Sequence, residues 1–241
     1  MIPTAPQIGF DRFIQLDWVA AALKVRAGVA SLDELNELLD AAGLGKEAKA
    51  KTRTKLNALA LEPRPELADL IDRGVQIFKG TEDAGELAVF AWGAAIATYP
   101  YFGKLAEFTG RLTSIQGDCA VSEIHRRISE VYGDREVTKR ATQAVIQTQA
   151  NWGAIERVEK GKRLVRLRAR SLKNDKMVAW LVESALRYQQ KAIALATLQS
   201  LAVIYPFALD QPLGYVMSNS RTLEVRSEGP SNQFVALRSA L

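Results

Sequence analysis

The chain holds a single cysteine and a single histidine. A lone Cys119 excludes an internal disulfide, and its expected role is a small buried side chain in a reducing compartment. A tetrahedral zinc site would have to join Cys119, His125 and two carboxylates, an improbable set. Any Ser-His-Asp or Cys-His arrangement would have to use His125. Cys119 and His125 are six residues apart, which is not a helical contact spacing. His125 follows Glu123 and precedes Arg126-Arg127 in an amphipathic stretch, so a surface or half-buried helical histidine is expected. Clustered carboxylates for a nuclease metal are also lacking. Asp33, Glu34, Glu37 and Asp40 sit on an ordinary surface helix, and Glu82, Asp83 and Glu86 mark a helix N-terminus. No catalytic, metal or cofactor site is predicted, and the chain is not expected to be an enzyme. Residues 1–10 lack a basic segment followed by an apolar one, so no signal peptide is expected. Long apolar runs are scarce. Leu87–Gly103 is uncharged but broken by Gly93, Thr98 and Pro100. Ala192–Leu209 is uncharged and alanine-rich, with Thr197, Gln199, Ser200 and Pro206 inside it. Both read as buried core helices rather than membrane spans. The expected location is cytoplasmic.

What is present is a globular composition, 48% hydrophobic and 24% charged, with enough length for one large domain or two small ones. The net charge of +5 is a weak hint of an anionic partner, and where the charge clusters matters more. The first hundred residues read as helices. One runs from Asp17 to Arg26. Ser31 and Glu34 form a Ser-x-x-Glu capping box for the next, with Leu32, Leu35, Leu38 and Leu39 at helical spacing. Lys46–Leu61 carries Lys46, Lys49, Lys51, Arg53 and Lys55 against Glu47 alone, a basic face that either extends a nucleic-acid footprint or, the preferred reading, is solvated surface. Leu67–Phe78 and Thr81–Thr98 follow, the second ending at Tyr99-Pro100.

The texture then changes. Phe102–Ile115, Ala120–Val131 and Val137–Trp152 read as three short helices. Ile155–Val158 and Leu164–Leu167 read as strands around a Lys160-Gly161-Lys162 turn. Three helices and a hairpin in this order predict a winged helix-turn-helix, with the third helix in the major groove and the hairpin on the backbone or in the minor groove beside it. Turning 100° per residue gathers Val137, Ala141, Ala144, Val145, Thr148 and Trp152 on the predicted buried face. Lys139, Thr142, Gln143, Ile146, Gln147 and Ala150 fall opposite, with Arg140 and Asn151 on the flank. No acidic residue lies between Val137 and Ile155. Amide and basic side chains are the types that read base edges and phosphates. From Arg157 to Lys173 the basic residues Arg157, Lys160, Lys162, Arg163, Arg166, Arg168, Arg170 and Lys173 face Glu159 alone. That is a local excess of +7 on a chain whose total is +5. The predicted DNA-binding residues are therefore Lys139, Arg140, Gln143, Gln147, Asn151, Arg157, Lys160, Lys162, Arg163 and Arg166.

The segments Val137-Thr-Lys-Arg-Ala-Thr-Gln-Ala-Val145 and Ala150-Asn-Trp-Gly-Ala-Ile155, behind a helical region of about a hundred residues, resemble the BrxA-like accessory proteins of BREX bacteriophage-defence systems. The resemblance covers residues up to about 170 and is one of layout; the part after Lys173 departs from it. It implies DNA binding without catalysis, alongside other defence-system subunits.

The fold expected is mainly α: a helical N-terminal bundle at 1–100, a winged helix-turn-helix at 101–173, and at 174–241 a long C-terminal helix (Lys176–Leu209, as one or two) with a β-hairpin. Residues from Tyr215 onward read as β, with a hairpin loop at Ser227–Ser231. The function expected is non-catalytic binding of double-stranded DNA. A protein–protein scaffold and a dimeric transcriptional regulator are the rivals; the oligomeric state is left open.

Overall fold

Helical periodicity and caps organise the first half. The computed structural model describes residues 6–229 and 232–238. After an extended segment, α1 (Leu16–Arg26) leads to α2 (Leu32–Ala41). The Ser31 hydroxyl accepts the Glu34 N–H at 3.2 Å, and the Glu34 carboxylate accepts the Ser31 N–H at 3.2 Å, closing the predicted capping box. Next come α3 (Lys46–Leu56), which runs into a wider turn at Asn57–Leu61, then α4 (Pro65–Phe78) and α5 (Ala84–Thr98). Pro65 sits in the first turn of α4, where its missing N–H costs no ladder bond. The Asp83 carboxylate caps α5 by accepting the Glu86 N–H at 2.9 Å. From Ala88 to Thr98, α5 is buried on every side, so it is the central helix.

Pro100 starts α6 (Pro100–Leu112). Strand β1 (Asp118–Ala120), α7 (Val121–Tyr132), α8 (Glu136–Asn151), β2 (Ile155–Val158) and β3 (Arg163–Arg166) follow. These strands form one antiparallel sheet in the order β1-β3-β2. Strand β4 (Arg170–Ser171) leads to α9 (Asp175–Gln189), then β5 (Ile193–Ala194) and β6 (Phe207–Ala208). Helix α10 (Leu213–Ser218) and the strands β7 (Leu223–Ser227) and β8 (Gln233–Leu237) complete the chain. β4 pairs in parallel with β6, and β5, β8 and β7 form a second antiparallel sheet in that order. The molecule is mainly helical with small sheets. The C-terminal hairpin is present as predicted, though Pro230 and Ser231 of its loop lie outside the described residues.

Two expectations about the C-terminal part are corrected. The long helix over Lys176–Leu209 stops at Gln189, because Gln190 takes a left-handed conformation (φ 54°). Beyond it the uncharged run is short strands and single 3₁₀ turns. The backbone pairs with β8 at Ile193–Ala194 and with β4 at Phe207–Ala208, while Leu198, Val203 and Ile204 are buried from the turns between, a choice that apolar content alone does not make. Tyr215 lies in α10, not in a strand.

One hydrophobic core runs through all three predicted segments, from Phe10 and Trp18 through Trp92, Phe102 and Trp152 to Trp180 and Val235. Trp180 on α9 reaches between α4 and α5, donating its indole N–H to the Leu70 carbonyl at 2.8 Å. It fits because Gly93 has no side chain: a Cβ there would sit 2.2 Å from the Trp180 ring. No helix among the described residues is long and apolar enough to cross a membrane.

Candidate nucleic-acid interface

The sequence predicts an exposed face on α8, and the structure narrows it to a stripe. Thr138, Ala141, Thr142, Ala144, Val145, Ile146, Thr148 and Gln149 are all buried. The helix has neighbours on two sides. Tyr101 of α6 reaches it with its hydroxyl 2.8 Å from the Thr142 Oγ1 and 3.1 Å from the Thr138 carbonyl, and burial pushes that phenol up to about 12. On the other flank the buried Tyr205 donates its hydroxyl to Gln149 Oε1 at 2.9 Å. Thr142 and Ile146 are therefore core residues, not groove-facing ones, while Val137 is exposed rather than buried. Ala141, Ala144, Val145 and Thr148 are buried as expected, but threonine and isoleucine on a short helix accept either environment, and periodicity put Thr142 and Ile146 on the wrong side. Trp152 does anchor the far end: it is buried, 5.4 Å from the Phe102 ring, with its indole N–H on the Ile14 carbonyl at 3.0 Å.

The stripe that stays open carries Lys139, Arg140, Gln143 and Gln147, which line a shallow hollow of about 360 Å³ together with His125. Gln143 Nε2 lies 3.0 Å from His125 Nε2, which ties its amide to α7. Burial, then the charge of Lys139, lowers the pKa of His125, and the imidazole Nδ1 has no hydrogen-bond partner among the described residues. Two cations of the stripe are neutralised locally. Lys139 is 3.4 Å from Asp134, and Arg140 is 3.1 Å from Glu136. Both acids lie just ahead of the acid-free stretch, and the Glu136–Arg140 spacing of four was the signal for the second pair. Asn151 is exposed at the end of α8, but its Oδ1 is already engaged, accepting the Leu16 N–H at 2.8 Å. Beside it the Thr148 hydroxyl accepts the Ile14 N–H at 3.0 Å. Three side chains in the last turn of α8 thus hold the extended segment before α1.

Strand register sorts the hairpin cations. Arg163 and Arg166 differ in parity, so they point to opposite faces of the sheet. Arg166 pairs with Ile155 on the core face. It reaches inward to the Tyr205 carbonyl at 2.7 Å, its guanidinium 5.3 Å from that ring. Arg163 is on the outer face but is held bidentately by Asp118, at 2.7 and 3.1 Å, which stabilises its charged form. Arg170 pairs with Asp83. Among the described residues Arg157, Lys160, Lys162, Arg168 and Lys173 have no carboxylate partner. The hairpin tip is tight, with Glu159, Lys160 and Gly161 at φ 51°, 54° and 81°. Arg157 lies over the tip, where a Cβ on Gly161 would be 2.8 Å from its Nη2. So the free charge sits at the tip and along the chain after β3, not on α8.

The basic face of α3 is largely consumed within the protein. Lys49 pairs with Asp40, Lys51 with Glu47 and Lys55 with Asp11, while Arg53 donates to Asn36 and Asn57. Cys119 is buried on β1, and burial pushes its thiol up to about 11. Among the described residues no group of three or more His, Cys, Asp or Glu side chains is placed to hold a metal ion. No protein-family model, curated protein or solved structure matches the chain.

Proposed function

We propose that this chain binds double-stranded DNA through a winged helix formed by α6, β1, α7, α8, β2 and β3, without catalysing a reaction on it. The observation that carries the reading is the hairpin tip. Arg157, Lys160 and Lys162 are unpaired there, one strand away from an α8 stripe of lysine, arginine and glutamine. The order helix, strand, helix, helix, hairpin with β3 between β1 and β2 supports the winged-helix assignment. The division of charge indicates how binding is shared. Free tip cations suit phosphates, whereas the amides and locally paired cations of α8 suit weak base discrimination. Membership of a bacterial defence assembly, with its other subunits as partners, rests on the resemblance to BrxA-like proteins.

The test is a mobility-shift assay with duplex DNA. Lys160→Glu combined with Lys162→Glu should abolish binding while helicity by circular dichroism is unchanged; unchanged affinity would remove the hairpin from the mechanism. A scaffold role is the second reading. It is favoured by apolar side chains held in solvent, Ile115 at 92% exposure and Val29 at 65%. Co-purification with a protein partner, without duplex binding at low salt, would select it.

A further inference from the structure

The strongest unassigned feature lies far along the chain from the hairpin. A cavity of about 590 Å³ opens where α4, α9, α10 and the turn after α10 meet. This is within the size range of small-ligand sites. Its floor is apolar, formed by Ile77, Ala179, Val216 and the Trp180 ring. At its base is a neutralised, fully bonded cluster. The buried Glu183 accepts Arg73 at 2.7 and 2.8 Å, Arg187 at 2.8 and 3.0 Å, and the Thr222 hydroxyl at 2.7 Å. Both carboxylate oxygens are used, so Glu183 is a fixed wall of the cavity and has no lone pair to spare for a cation.

The rim is different in kind. Tyr215 stands at the cavity on α10 yet is 67% exposed, and among the described residues it stacks on no other aromatic ring. Lys176 and Arg221 also line the cavity, as does Asp175 at the start of α9, and among the described residues neither cation has a carboxylate within ion-pair distance. Asn219 and Ser220 add polar groups between them. An aromatic platform beside two free cations, over an apolar floor, is the chemistry that takes a planar base and a phosphate together.

We infer that the cavity between α4, α9 and α10 binds a mononucleotide, its base on Tyr215 and its phosphate on Lys176 and Arg221. This site stands apart from the proposed duplex-binding surface, and neither depends on the other. The measurement is fluorescence anisotropy of a labelled adenosine monophosphate titrated with the full chain. Saturable binding is expected. Tyr215→Ala and Arg221→Ala should each weaken it about tenfold or more, the loss expected of one base-stacking or one phosphate contact. Tyr215→Phe should bind nearly as well as the parent. Tyr215 and Arg221 are exposed, so these variants should keep the parent's circular dichroism. The wing pair Lys160→Glu and Lys162→Glu should leave affinity for the nucleotide intact, even where duplex binding is lost. Absence of saturation up to about 1 mM, or full affinity in both alanine variants, would overturn the assignment. So would loss of nucleotide binding in the wing variant alone, which would place the nucleotide on the hairpin.

Discussion

At the scale of single residues, the proposed interface is defined as much by what its side chains already hold as by their charge. Arg163 and Arg166 are equally basic, yet one is clamped by Asp118 and the other is inserted toward Tyr205. Truncating them should therefore have different consequences. Arg166→Ala removes a half-buried guanidinium from the Tyr205 carbonyl and ring and should destabilise the fold by about 1–3 kcal/mol; Arg163→Ala, at a partly exposed surface pair, should cost less than that. Urea midpoints of the two variants check the ordering, and an equal loss would refute it. His125 gives a second residue-scale expectation. Burial first, then Lys139, holds its folded pKa below the ordinary 6.5, and Asp134 opposes this only in part. Arg126 and Glu130 line the adjoining hollow and Arg140 the other side. On acidification the unfolded chain takes the proton first. Stability should then fall as pH drops through about 6.5 and level off below the folded pKa. His125→Gln should flatten this part of the stability–pH curve; parallel curves for the two proteins would show that His125 does not control it.

At the scale of elements, α8 is the hub. It is anchored to α6 through Tyr101, to α7 through the Gln143–His125 contact, and to the segment before α1 through Thr148, Asn151 and Trp152. Trp152→Ala would open a large cavity beside Phe102 and Trp92 and free the Ile14 carbonyl, at a cost of about 3–5 kcal/mol. Asn151→Ala combined with Thr148→Val would instead leave the Ile14 and Leu16 N–H groups without acceptors, at a cost of about 1–3 kcal/mol for each group that is fully buried. Hydrogen exchange should then quicken at Ile14 and Leu16 in the double variant while β2 and β3 remain protected. Uniform loss of protection across the chain would mean that these bonds do not act as a separate clamp.

At the scale of the whole molecule, the net charge of +5 conceals a polar distribution of partners. Most cations outside the hairpin are spent on intramolecular pairs. The duplex affinity should therefore reflect the few phosphates met by the free cations, Arg157, Lys160 and Lys162 at the tip and Arg168 and Lys173 after β3. The slope of log affinity against log salt should be about −3 where the tip alone engages and about −4.5 where all five do, near 0.9 for each contact. A slope near −7 would mean that the internally paired arginines open to reach DNA. A slope near zero would argue against an electrostatic interface altogether.

What was legible in the sequence follows from local physics. The capping box at Ser31, the acidic helix N-terminus at Glu82, Asp83 and Glu86, the order of α6, α7 and α8, and the two hairpins are written in short-range spacings and turn residues. They were visible because each acts within a few residues of itself. The concentration of basic residues from Arg157 to Lys173 was also plain. Which of those charges remain free was not. It depends on strand register, which turns Arg166 inward, and on acids distant in sequence, Asp118 and Asp83, that claim Arg163 and Arg170. The same holds for α8, whose threonines and Ile146 became core only because Tyr101 and Tyr205 close on it from both sides. The apolar run after Gln190 likewise became strands and turns through partners in β4 and β8. The sequence alone determined helices α1 to α8, the hairpins and the local charge; the tertiary structure decided where α9 stops, that Tyr215 lies in a helix, and which side chains were left free to meet a partner, because pairing and burial are long-range events that spacing along the chain does not encode.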